Sequence, residues 1–146
     1  MDVHAPTLQR LIDQILDARD RHGALDIRGG QTKAFYGETP RGEPLDLRPL
    51  TGISSHEPSE LVVTVRGGTA LAELEAALAE HGQCLPFEPP RFAGDSSVGG
   101  MVAAGLSGPA RASLGAVRDY VLGATILNGR GEVLTFGGQV MKNVAG

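Results

Sequence analysis

The sequence predicts an α+β fold in two lobes, a small α/β lobe to about residue 90 and an antiparallel β lobe from 91 onward. Before residue 90, apolar residues at helical spacing alternate with short extended runs, the order of an α/β unit. After it, two β-branched runs flank Asn128-Gly129-Arg130-Gly131, a strong hairpin turn. A third observation is the glycine content, 21 of 146 residues, about twice the usual ~7 %. The chain has no repeat and keeps 41% hydrophobic residues, so these glycines are positional rather than the mark of a disordered linker.

Each element follows from its residues. Leu8, Leu11, Ile12, Ile15 and Leu16 predict a helix from Thr7 to His22, with Gly23 as its left-handed terminator. A strand is expected at Ala24 to Ile27, running straight into RGGQTK, and a short extended piece at Leu45 to Leu47. Ile53 to Glu57 and Leu61 to Arg66 read as strands joined by Pro58-Ser59. Thr69 is expected to cap a helix that shows Leu71, Leu74 and Leu78 on one face and ends at Gly82. Gln83 to Phe87 reads as a further strand closed by Pro89-Pro90. In the second lobe, Tyr120 to Leu127 and Glu132 to Phe136 are the hairpin strands.

Composition narrows the class. Thirteen Lys and Arg against seventeen Asp and Glu give a net charge of -4 with interspersed signs, which argues against nucleic acid as a partner because phosphate neutralisation needs a basic face. No basic leader precedes an apolar run, and nowhere do about 18 apolar residues stand together, so neither a secretion signal nor a membrane span is expected. The single cysteine, Cys84, fits a reducing compartment and reads as a small core residue. A cytoplasmic protein is the expectation.

Common catalytic motifs fail on spacing. There is no Gly-Lys dipeptide for a phosphate loop and no G-x-G-x-x-G after a strand. Gly105-Leu106-Ser107-Gly108 misses the nucleophile elbow because Pro109 stands where the closing glycine belongs. His4, His22, His56 and His81 are scattered, which predicts surface or capping roles and no metal site.

Two glycine-centred segments remain. Arg28-Gly29-Gly30-Gln31-Thr32-Lys33 ends a strand in bare backbone with a hydroxyl, an amide and two cations around it, the chemistry a pyrophosphate needs. By itself the hexapeptide also reads as an ordinary turn. In the second segment, Asp95, Ser96 and Ser97 are set to cap a helix that begins Val98-Gly99-Gly100. That predicts unsatisfied N–H groups at a positive helix end, open to an anion. A small-residue helix packed on a neighbour, which Ala103, Ala104 and Gly105 suit, is the alternative; the two segments together favour a ligand. A side chain at Gly30 is expected to block the ligand while leaving the fold intact.

In order and spacing, RGGQTK, LVVTVRGGTALAELEAAL, LPFEPP, SSVGGMVAAGLSGP, LGAVRDYVLGATILNGRGEVLTFGG and KNVAG resemble the FAD-binding domain of the FAD-linked oxidase family, the vanillyl-alcohol oxidase and p-cresol methylhydroxylase (PCMH) type. Within it the likeness is strongest to the FAD-binding subunits of bacterial glycolate oxidases. The resemblance implies a two-lobed PCMH-type FAD domain covering residues 1–146 and lacking its closing strand and substrate domain, as in a piece of a longer protein. It implies FAD as cofactor. The loop Arg28, Gly29, Gly30, Gln31, Thr32 and Lys33 would wrap the pyrophosphate, and Asp95, Ser96, Ser97, Val98, Gly99 and Gly100, then Ala104, Gly105, Ser107 and Gly108, would pass against the pyrophosphate and the flavin edge, with Pro89 in the turn leading there. Leu114 replaces the tyrosine that the family carries before its Gly-x-x-Arg-Asp segment. Many members read Arg-Gly-Gly-Gly-Thr, or carry a histidine after the glycines for a covalent flavin bond, where Gln31 and Thr32 stand here; a non-covalent FAD is therefore expected.

The function implied is oxidation of glycolate to glyoxylate, with hydride passing to flavin N5. The implied assembly joins a larger FAD subunit and an iron–sulfur subunit, and any membrane association would be peripheral through that complex. No catalytic residue is assigned, because the family's base and substrate-binding arginine lie beyond this stretch. A non-catalytic electron-relay subunit, or an oxidase of another 2-hydroxy acid such as D-lactate, stays open.

Overall fold

The computed structural model of the chain describes residues 5–92 and 94–138. Helix α1, Ala5–Asp20, buries Leu11, Ile15 and Ala18. Leu11 and Ile15 pack with Leu45 in one apolar cluster. The helix stops two residues earlier than its apolar spacing suggests. The left-handed residue there is His22, φ 54°, rather than Gly23, whose N–H donates to the Ala18 carbonyl at 2.7 Å. Strands β1, Leu25–Arg28, and β2, Glu43–Asp46, pair in parallel, Leu25 opposite Glu43 and Arg28 opposite Asp46.

Strands β3, Ile53–Glu57, and β4, Val62–Val65, form an antiparallel pair with an irregularity between Ile53 and Ser55. Leu61 belongs to the connecting turn, with φ 57°, rather than to the strand. Helix α2, Leu71–Ala79, buries the leucine face read from the sequence. Thr69 does not cap it. Its hydroxyl is fully buried and instead accepts the Gly52 N–H at 2.8 Å, while Ala70 takes the cap position.

Gln83 to Phe87 is not a strand. Pro86, Pro89 and Pro90 remove backbone donors around it, and Gln83 bonds through its side chain to the Pro58 carbonyl at 2.8 Å. Phe87 still reaches the core, joining Leu71, Leu74, Leu78, Val98, Met101 and Val117 in a second apolar cluster. Helix α3, Val98–Ala104, supplies Val98 and Met101. A short helix α4, Arg111–Leu114, and a 3-10 turn at Val117–Tyr120 follow. Tyr120 therefore lies in a turn, and the hairpin strand starts later than expected. Strands β5, Gly123–Leu127, and β6, Val133–Gly137, are antiparallel, with Leu127 opposite Val133.

The hairpin folds back on the first helix, for Leu127 packs against the α1 cluster. A Cβ at Gly131 would stand 2.9 Å from Leu16. Among the described residues no helix is long and apolar enough to cross a membrane. Lys142 to Gly146 and His4 lie outside the described residues.

Candidate cofactor-binding site

The structure brings the two glycine segments together. Gly29 and Gly30, just past the end of β1, press on the backbone that leads into α3: a Cβ on Gly30 would overlap the Asp95 carbonyl oxygen, and one on Gly29 would overlap the Ser97 hydroxyl. Across the same junction the hydroxyls of Thr32 and Ser96 are hydrogen-bonded at 2.9 Å. The contact corrects one expectation, since a side chain at Gly30 would collide with protein backbone and disturb the loop packing itself.

Backbone donors define what the junction can do. The amides of Gly29, Gly30, Gln31, Thr32 and Lys33 donate to no other group among the described residues, and neither do those of Gly94, Asp95, Ser96 and Ser97. Two runs of N–H groups without a protein partner among the described residues thus lie on touching loops, together called the cradle here, and such groups are the donors that an anion takes. Gln31 takes φ 56° within the first run, and Gly94 takes φ 73° in the second.

The start of α3 is different from the sequence expectation. Its first N–H groups are already used: Val98 donates to Thr69 at 2.8 Å, Gly99 to Gly67 at 2.8 Å, and Gly100 to the Ser97 hydroxyl at 3.2 Å. Gly99 owes its identity to this close approach, because a Cβ there would lie 2.9 Å from the Gly67 carbonyl oxygen. The donors come from the loop before the helix rather than from the helix end. Gly67 went unnoticed in the sequence, although Arg-Gly-Gly occurs twice, at 28–30 and 66–68.

The charged residues divide. Arg28 is held by Asp26 at 2.6 Å, half-buried and turned to its own strand. Lys33 makes no ion pair among the described residues; its ammonium stands 5.9 Å from the centre of the Phe92 ring, which in turn meets Phe35 edge-on at 4.9 Å. Ala104, Gly105, Ser107 and Gly108 lie at the far end of α3, away from the cradle. There Ser107 is buried and structural, its hydroxyl accepting the Val117 N–H at 3.0 Å and donating to the Gly105 carbonyl at 3.3 Å. The Glu88 N–H bonds the Ser107 carbonyl at 3.2 Å, so the turn carrying Pro89 is tied to this end as well.

The sequence model of the family described as FAD binding domain matches residues 3–137. The chain belongs to that family. Its cofactor is FAD. Glycolate oxidase subunit GlcE of Escherichia coli (strain K12) is 49% identical over 138 residues, 94% of this chain and 39% of that protein. D-lactate dehydrogenase of Archaeoglobus fulgidus is 31% identical over 121 residues, 82% of this chain and 27% of that protein. Among solved structures, the glucose dehydrogenase Phl p 4.0202 superposes with a TM-score of 0.71 at 16% identity, over 88% of this chain and 27% of that one. The 6-hydroxy-D-nicotine oxidase of Arthrobacter nicotinovorans does so with 0.68 at 18%, over 89% and 28%. Both share the fold. The chain spans less than half the length of each of these relatives.

Proposed function

We propose that the cradle formed by Gly29 to Lys33 and Gly94 to Ser97 holds the pyrophosphate of FAD without a covalent bond, in the FAD-binding subunit of a glycolate-oxidising complex. The observation that supports this most directly is the double run of unpaired backbone amides on two loops that touch. Those donors fit two phosphate groups, and Lys33 adds a cation at the edge of the first loop. No histidine or cysteine stands at 28–33 or 94–108 to bond a flavin ring.

When bound, FAD supplies a ring nitrogen that accepts hydride from a 2-hydroxy acid. The residues of this chain bind and orient. The Thr32–Ser96 hydroxyl pair fixes the spacing of the two loops, and Ser107 with Gly108 anchors the far end of α3 to the turn at Glu88. A larger FAD subunit and an iron–sulfur subunit complete the assembly, and electrons leave the flavin to another carrier. The similarity to GlcE supports glycolate as substrate; the similarity to a D-lactate dehydrogenase supports D-lactate as the second reading.

The cradle is tested by titrating the protein with FAD and with riboflavin, which lacks the pyrophosphate. Riboflavin should bind at least about a hundredfold more weakly. Lys33→Gln should weaken FAD about tenfold and leave riboflavin unchanged, a loss of about 1.4 kcal/mol. Equal affinity for the two flavins would overturn the assignment. Dye reduction by the assembled complex with glycolate and with D-lactate separates the two substrates.

A further inference from the structure

Each of the two loops carries an exposed phenylalanine beside its run of amides. Phe35 stands two residues after Lys33, where the first run ends, and Phe92 two residues before Gly94, where the second begins. The two are 66% and 50% exposed, yet they meet, with ring centres 4.9 Å apart and planes at 82°. The Lys33 ammonium stands over Phe92, 5.9 Å from its centre, so the pair adjoins the cradle. We infer that this aromatic corner receives the dimethylbenzene end of the flavin ring, an inference that rests on the cradle holding the pyrophosphate.

The pair leaves room for a third ring. An edge-to-face contact uses the edge of one ring and one face of the other, and the remaining faces stay open to a flat partner. Among the described residues, neither phenylalanine joins the two buried apolar clusters. Tyr36, also exposed, extends the patch, and apolar surface gathered in water marks a binding site. Two flat rings flank the pyrophosphate of FAD, and hydrogen bonding chooses between them. Adenine carries an amino group and ring nitrogens that lose water on stacking and need donors or acceptors in return. Among the described residues, the corner sets two hydrocarbon rings and one ammonium side by side. The dimethylbenzene end of flavin has no hydrogen-bonding atom to satisfy and enters without that cost. Phe35 and Phe92 then help to hold the ring that accepts hydride.

The test compares FAD with ADP, which keeps the adenine and the pyrophosphate and lacks the flavin. Phe35→Ala and Phe92→Ala, both at exposed positions, should each weaken FAD about tenfold in calorimetric titration. ADP affinity and the urea midpoint of the FAD-free protein should not change. Phe92→Tyr, which keeps the ring face, should restore FAD binding. A second measurement needs no variant for its first arm: an FAD analogue without the two ring methyls should bind the unaltered protein about tenfold more weakly than FAD. The double alanine variant should no longer tell the two apart. ADP weakened as much as FAD, or an analogue that binds the unaltered protein as well as FAD does, would overturn the inference. Normal ADP binding together with FAD affinity indifferent to the corner would overturn it alone and leave the cradle standing. Absence of ADP binding to the unaltered protein would overturn the cradle, and this inference with it.

Discussion

Gln31 holds a left-handed backbone, φ 56°, at the position where many relatives of the resembled family carry glycine. For an L-residue that conformation costs roughly 1–2 kcal/mol, offset in part by the greater unfolded-state freedom of glycine. Gln31→Gly should therefore stabilise the protein by about 0.5–1 kcal/mol, read as a raised urea midpoint with an unchanged slope. A lowered midpoint would show that the Gln31 side chain contributes more than the backbone costs. Asp46 gives a pH-dependent counterpart. Two side-chain hydrogen bonds from Arg48, helped by its backbone N–H, lower its pKa from 3.8 to about 2. Because the folded value lies below the unfolded one, the stabilisation is fully present above about pH 4 and is lost as pH falls toward 2. The pair is partly exposed, so salt should shrink the effect. Acid-unfolding curves of Asp46→Asn should lack this component, and a curve identical to that of the unaltered protein would refute it.

Among the elements, the β5–β6 hairpin depends on one side chain. Asn128 Oδ1 accepts the N–H groups of Arg130 and Glu132 at 2.8 and 3.0 Å, and its Nδ2 donates to Glu132 at 2.7 Å. Asn128→Ala should cost about 1–2 kcal/mol, by the loss of two or three hydrogen bonds worth ~0.5–1.5 each. Amide exchange should quicken across Gly123–Leu127 and Val133–Gly137, while α2 keeps its protection; uniform loosening would mean that the turn has no local role. The turn and both hairpin partners were legible in the sequence because an Asn-Gly signal and β-branched runs act over a few residues. The same holds for the leucine face of α2. Other features rest on partners far along the chain. Whether the N–H of Gly99 is free is decided by Gly67, and Thr69 gives up its cap because Gly52 comes within reach. The sequence points to the two loops that the structure brings into contact, but places the free donors at the start of the helix. The cradle's donors precede the helix, and no local pattern distinguishes a used amide from an unused one.

For the whole molecule, the proposed non-covalent site, whose two glycine loops hold no histidine or cysteine, predicts a removable flavin. Acid precipitation of the FAD-loaded protein should leave the yellow colour in the supernatant, and colour retained in the pellet would disprove non-covalent binding. Ligand linkage gives the scale of what is lost. FAD at a hundred times its Kd adds about 2.7 kcal/mol to the native state, which differential calorimetry with and without cofactor should register as a higher Tm. The Thr32–Ser96 contact carries a consequence of another kind. It joins residues 64 apart in sequence, and closing a segment of that length costs about 3.7 kcal/mol in its length-dependent part. The contact cannot exist before residue 96 has been made. At ~5–20 residues per second, the first loop waits roughly 3–13 s for its partner during synthesis. Flavin capture is therefore a late event in the life of a nascent chain, and a ribosome stalled between the two loops should display the first helix and its strand while remaining colourless.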